Sequence, residues 1–118
     1  MNDFMKDWEN TPYPQMIRNL PEIDIPIEGI RGWLIHSKDK QIVFLDIDPV
    51  GKMPEHSHCS QWGIMLDGKM KLTIDNDTKI YQKGDWYYIP AGVVHSAEFL
   101  TKVHVIDVFD DPNRYQIK

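Results

Sequence analysis

Gly84-Asp85-Trp86-Tyr87-Tyr88-Ile89-Pro90-Ala91-Gly92-Val93-Val94-His95 runs a short apolar strand into a proline, turns at a glycine and delivers a histidine to the start of the next strand. Pro90 cannot donate to a sheet ladder, so the strand stops there. Gly92 tolerates a positive φ and folds the chain tightly. His95 can then open the following strand facing inward. Upstream stands His56-Ser57-His58. Alternate residues of an extended strand share a face, so these two imidazoles point the same way. In a chain with five histidines such a pair is a weak signal; the glycine–proline–glycine–histidine phrase, which fixes four positions, is far more specific. Three imidazoles from two segments can meet at one divalent ion, at about 2.0–2.1 Å each if it is zinc. Neutral imidazole is a ligand for Zn, Fe, Ni and Cu and, less strongly, Mn.

Working outward, the chain from residue 30 onward reads as strands. Ile30 to His36 and Gln41 to Ile47 flank the polar turn Ser37-Lys38-Asp39-Lys40 as a hairpin. Asp48-Pro49-Val50-Gly51 breaks the chain, and a short strand then carries His56 and His58. Trp62 to Leu66 closes at Asp67-Gly68, a strong hairpin turn. Lys69 to Ile74 puts Met70, Leu72 and Ile74 on one face. Thr78 to Gln82, Trp86 to Ile89, His95 to Leu100 and Lys102 to Phe109 complete the set. Many short strands between frequent turn signals predict an all-β sandwich or barrel. Residues 1–22 contain Pro12, Pro14 and Pro21 beside Trp8, Tyr13, Met16, Ile17 and Leu20. They read as an irregular N-terminal arm with a short helical turn, whose apolar residues need a surface to cover. Residues 23–118 read as the single barrel domain.

At 118 residues the chain suits one domain with one core. Apolar residues at 42% and charged residues at 26% are an ordinary globular balance. A net charge of −5 and a pI near 5.4 argue against nucleic acid or an anionic membrane surface as partner. The sequence has no apolar run long enough to span a membrane, and Met1 to Trp8 lacks an apolar signal core. The lone Cys59 excludes an intrachain disulfide, and a reducing cytoplasm is the expected compartment.

At this point the sequence resembles the cupin family. That family's first motif runs glycine, five residues, His-x-His, three or four residues, glutamate, six residues, glycine. Gly51 to Gly68 is the matching stretch. The second motif runs glycine, five residues, Pro-x-Gly-x-x-His, three residues, asparagine; Gly84, Pro90, Gly92 and His95 match it in register. The resemblance covers residues 30 to 110. It implies a double-stranded β-helix, the jelly-roll barrel, with a metal inside its mouth. Three departures stand out. Gly51 is one residue too close to His56, Phe99 replaces the terminal asparagine, and Gln61 takes the glutamate's place one residue nearer His58 than usual. The metal ligands implied are therefore His56, His58, His95 and, through its amide oxygen, Gln61. The alternative for Gln61 is an outward or supporting position, with water as ligand. Three imidazoles and an amide leave the site at +2 rather than +1, a stronger Lewis acid that attracts anionic oxygen donors.

The cofactor expected is a divalent metal ion (Zn, Fe, Ni or Mn). Because ligation requires neutral imidazoles, affinity is expected to fall below about pH 6.5. His36 and His104 belong to no motif and read as structural or surface histidines. Cys59 reads as a small buried residue, since its parity opposes His58. Trp33, Phe44, Trp62, Ile64, Met65, Trp86, Tyr88, Phe99 and Phe109 are candidates for the barrel interior, and Trp33, Trp62, Trp86, Tyr88 and Phe99 for substrate contact. Arg31, Lys52 and Lys71 are candidate anion anchors. Glu55, Glu98, Tyr88 and His104 are candidates for proton transfer. The function these features suggest is a metal-dependent enzyme of isomerase, lyase or ring-opening type, acting on a small anionic or carbohydrate-like molecule. The alternatives are a non-catalytic sugar-binding cupin and a three-histidine metal dioxygenase. Small cupins pair through outer sheet faces, so a homodimer is expected.

Overall fold

The computed structural model describes residues 11–49 and 51–118; Trp8 of the arm and Val50 of the predicted break lie outside them. Nine strands and one short helix are present among the described residues. The helix, α1, spans Gln15–Arg18. The strands are β1 (Ile30–His36), β2 (Gln41–Ile47), β3 (Gly51–His56), β4 (Gln61–Asp67), β5 (Lys69–Ile74), β6 (Asp77–Gln82), β7 (Trp86–Ile89), β8 (His95–Phe99) and β9 (Val103–Phe109). They form two antiparallel sheets, β1-β2-β9-β4-β7 and β3-β8-β5-β6. The predicted bounds hold to within a residue or two. The main departure is that β3 ends at His56, after a bulge between Met53 and His56, leaving His58 beyond the strand.

Strand parity decides what is inside. β2 buries Gln41, Val43, Leu45 and Ile47; β9 buries Val103, Val105 and Phe109, with Asp107 among them. β4 turns Gln61, Gly63 and Met65 inward, and β7 turns Tyr87 and Ile89 inward. Across the sheet, β5 contributes Met70 and Leu72, and β8 contributes His95 and Phe99.

This parity corrects the expected interior. Met65, Phe99 and Phe109 are inside, but Trp33, Phe44, Trp62, Ile64, Trp86 and Tyr88 alternate with buried residues and face outward. The misleading signal is size. On β4 the inner position between Gln61 and Met65 is Gly63, and the bulky Trp62 and Ile64 take the outer face. A side chain at Gly63 would overlap the ring and hydroxyl of Tyr87 and the carboxylate of Asp107, which lie across it. The glycine is there to make room for that pair.

The outer faces of the two sheets differ in kind. On the five-stranded sheet, Ile35, Ile42, Val108, Trp62 and Tyr88 are successive register partners. Trp33, Phe44, Ile106, Ile64 and Trp86 form the neighbouring row. On the other sheet the comparable row is Lys52, Glu98, Lys71 and Ile80, a solvated face.

Tyr13 covers one end of the apolar rows. Its ring meets Trp33, Phe44 and His104 edge-on at centroid distances of 6.0, 5.9 and 5.6 Å. Its hydroxyl faces two backbone carbonyls, Leu45 O at 2.8 Å and Val105 O at 3.0 Å, and shares its single proton between them. The residue is 1% exposed, so the arm is fastened by a core-like contact outside the barrel. His104 beneath it is structural. It is held by Asp67 Oδ1 at 2.7 Å through Nδ1 and lies 3.6 Å from Asp46. Burial opposes its charge, but the two carboxylates outweigh this and raise its pKa above the ordinary value. At the other end of the chain, buried Gln41 donates to Pro112 O and Tyr115 O at 2.9 and 3.0 Å and accepts from Tyr115 N at 3.0 Å. One side chain thus folds residues 110–118 back over the barrel.

Tyr13→Ala should cost ~3–5 kcal/mol of stability, the range for emptying a large aromatic site. Tyr13→Phe should cost ~0.5–1.5 kcal/mol, because it removes the buried hydrogen bond of the hydroxyl while the sheet ladder still pairs both carbonyls. Urea unfolding reads both, and a loss below ~1 kcal/mol for Tyr13→Ala would show that the arm is not fastened here.

Candidate metal centre

Three segments bring the imidazoles together. His56 ends β3 and is the register partner of His95 at the start of β8. The turn before His95 has Val93 N donating to Pro90 O at 3.2 Å, with Gly92 at φ 80°. A positive φ at the third turn position is what a glycine supplies. Gly92 N also donates to His58 O at 2.9 Å, which ties the two histidine-bearing segments to one another.

The ring centroids lie 5.3 Å apart for His56–His58, 4.2 Å for His56–His95 and 4.7 Å for His58–His95. One nitrogen from each ring lies within 4.8 Å of the others. Every Nδ1 contacts a backbone carbonyl: His56 with Pro54 O at 2.8 Å, His58 with Cys59 O at 2.8 Å, His95 with Val93 O at 3.0 Å. A carbonyl only accepts, so each Nδ1 carries the proton and each Nε2 of the neutral ring is a bare lone pair. The Nε2 atoms of His58 and His95 are 3.1 Å apart. Two such acceptors do not bond one another; a cation between them satisfies both. Nitrogens held about 2.1 Å from one ion and separated by 90–109° would lie roughly 3.0–3.4 Å apart. Burial holds the His58 pKa down to about 4 and also lowers that of His95, so these rings stay neutral, as ligands must. The fall in metal affinity expected below pH 6.5 is moved downward for these two by the same burial. The donor set fits a divalent transition metal.

The cluster opens into a cavity of about 430 Å³, a size that holds a small metabolite. Gln61 and Phe99 line it; Trp33, Trp62, Trp86 and Tyr88 do not, because parity sends them to the opposite face. The anion anchors expected at Arg31, Lys52 and Lys71 are likewise outside it, as are Glu55, Glu98 and His104. Cys59 is half-buried against the core and is not part of the nitrogen cluster.

Two residues in the cavity wall are new. Asp107 is 2% exposed and accepts a hydrogen bond from the Tyr87 hydroxyl at 2.5 Å. Gln61 stands diagonally beside it on the inner face, and its amide favours the ionised carboxyl. Burial pushes its carboxyl up to about 6, against the pull of the Tyr87 bond, the Gln61 amide and the nearby Arg114 charge. Its signature in the sequence is an aspartate at an inward position of the apolar run Val103-His104-Val105-Ile106-Asp107-Val108-Phe109. The Arg114 guanidinium carbon lies over the Phe109 and Tyr115 rings, at 5.3 and 4.4 Å from their centroids, and its buried Nε has no hydrogen-bond partner among the described residues. No sequence pattern marks Arg114, since the Gln41 clamp delivers it.

A family model described as a cupin domain matches residues 43–109. A search of curated proteins returns no match. Among solved structures, KdgF from Halomonas sp. is 24% identical with a TM-score of 0.69, covering 78% of this chain and 86% of that one. An RmlC-like cupin from Shewanella frigidimarina is 26% identical with a TM-score of 0.69, covering 80% and 86%. A variant of oxalate decarboxylase from Bacillus subtilis is 21% identical with a TM-score of 0.69, and the match covers 81% of this chain but 28% of that longer one.

The two shifted groups predict a pH signature in metal-free protein. The Asp107 pKa rises from 3.8 to about 6, and that of His58 falls from 6.5 to about 4. Between about pH 4 and 6 the native state therefore holds a proton on Asp107 and none on His58, while the unfolded chain does the reverse. The proton counts match, and the two contributions to stability against pH cancel. Asp107→Asn removes the one that falls with rising pH. The variant's stability should then rise with pH more steeply than the wild type's, by up to ~1.4 kcal/mol per pH unit. Parallel urea-midpoint profiles for the two proteins would contradict this.

Proposed function

Since this chain belongs to the cupin family, we propose that it is a metal-dependent enzyme acting on a small anionic, carbohydrate-like molecule, by isomerase, lyase or ring-opening chemistry. The observation that carries this reading is the meeting, in one cavity, of three imidazoles, a buried carboxylate and an arginine with an open donor. His56, His58, His95 and Gln61 would hold the ion. When bound, the ion supplies Lewis-acid polarisation of a carbonyl or hydroxyl oxygen. Arg114, held over the Phe109 and Tyr115 rings, offers its fork to a carboxylate of the ligand. Asp107, with a pKa near 6, is suited to take or give a proton near neutrality. The apolar wall of Met70, Leu72, Ile89 and Phe99 excludes water around these groups.

Loaded with zinc, iron, nickel or manganese in turn, the protein should convert a member of a uronate and keto-acid panel. His56→Ala should abolish metal binding and turnover, and Arg114→Ala should raise KM at least tenfold. Asp107→Asn should lower kcat by ~10²–10⁴, the contribution typical of an acid–base group. Turnover that persists without metal would refute the proposal. A ligand that stabilises the fold and is recovered unchanged would favour a binding module instead, and substrate-dependent oxygen uptake would favour a dioxygenase.

The two apolar rows on the outer face of the five-stranded sheet also support the proposed homodimer. Trp62, Trp86 and Tyr88 remain 38%, 62% and 52% exposed, within two rows that are apolar from β1 to β7. Large contiguous apolar faces of this kind are usually covered by a partner. Trp86→Glu combined with Tyr88→Glu should halve the mass seen by light scattering. An unchanged mass would place the dimer contact elsewhere, and a monomeric wild type would exclude it.

A further inference from the structure

Gln61 and Asp107 are not direct cross-strand partners. Gln61 pairs with Phe109, and Asp107 pairs with Gly63. They are therefore diagonal neighbours on the inner face, at a spacing that only a long side chain spans. Gln61 is 9% exposed and Asp107 2%. A primary amide has two unlike ends, an NH2 that only donates and an oxygen that only accepts. The Asp107 carboxylate only accepts, so the end of the neighbouring Gln61 amide that suits it is the NH2, and the amide favours its ionised form. The oxygen is then the end left for the cavity, which His56, His58 and His95 share with it. Asp107 cannot swing away to release the amide. Tyr87 holds its Oδ1, and the Gly63 backbone lies directly beneath the pair, with no side chain to spare.

We propose that Asp107, fixed by Tyr87 over Gly63, is a positioning residue that sets the orientation of the Gln61 amide, so that its oxygen and not its nitrogen faces the three imidazole Nε2 atoms. This deepens the metal-centre reading and rests on it. A metal repels an amide NH2 and accepts an amide oxygen, so the flip decides whether position 61 is a ligand at all. The same contact accounts for an amide at this position. A glutamate at 61 would set a second carboxylate against a buried one, where like charges raise the pKa of one partner instead of ligating together.

Cobalt(II) affinity, measured by chelator competition and by the visible spectrum of the bound ion, tests this without any substrate. Asp107→Asn should weaken binding ~10–100-fold, the usual effect of removing the partner that orients a ligand. It should also shift the spectrum as the oxygen donor is lost. Removing a negative charge would weaken binding by itself, so the deciding comparison is the Gln61→Ala background. There Asp107→Asn should cost less than threefold, because no amide remains to be oriented. Tyr87→Phe, which keeps the carboxylate, should give a smaller loss of the same kind and guards against a misfolded Asp107→Asn. Equal costs of Asp107→Asn with and without Gln61, or wild-type affinity in Asp107→Asn, would overturn the positioning role while leaving the three-histidine centre standing. Wild-type affinity in His95→Ala would overturn the centre itself, and the positioning role with it.

Discussion

Each of the three imidazoles gives its Nδ1 proton to a backbone carbonyl within two residues of its own position. This local arrangement fixes tautomer and ring direction together, and everything chemical about the site depends on it. With Nδ1 committed, three Nε2 lone pairs point inward, two of them 3.1 Å apart. A short chain can hold such mutually unfavourable atoms only because strong backbone acceptors lock the rings from behind. The Gly92 N–H to His58 carbonyl bond then locks one segment to the other. The centre is built from turns at the ends of strands, with the sheets serving to hold those ends in register.

Around this centre the inner wall is divided by function. Most of it is apolar: Val43, Leu45, Met65, Met70, Leu72 and Val105 make an ordinary core. The polar exceptions are connected. Tyr87 bonds Asp107 with Gln61 diagonally beside it, and Gln41 clamps the segment that carries Arg114. A buried carboxylate with a raised pKa costs stability at neutral pH. Its place beside a cation and a set of open nitrogen donors is what supports the chemical role proposed for it.

The outer surfaces follow a different constraint. A sheet whose inner face already forms a complete core has no need of two apolar rows on its other side. Tyr13 fills one end of those rows by docking on Trp33 and Phe44. The remainder, centred on Trp62 and Trp86, explains why the aromatic residues that look most like pocket walls in the sequence are nowhere near the pocket.

What the sequence determines by itself is whatever depends on local chemistry. Strand bounds follow from β-branched runs and turn residues. The position of the imidazoles follows from Pro90 and Gly92, whose backbone restrictions act within a few residues. The family resemblance rests on the same short-range features. What only the tertiary structure decides is which face of each strand is inner. The two-residue period names the faces without ranking them, and here the outer face is as apolar as the inner. Tertiary structure also brings in Arg114, because a side chain seventy-odd positions away, Gln41, folds its segment back. It places Asp107 over Gly63, since a missing side chain on one strand can be understood only from the pair of groups that fills its space on two others.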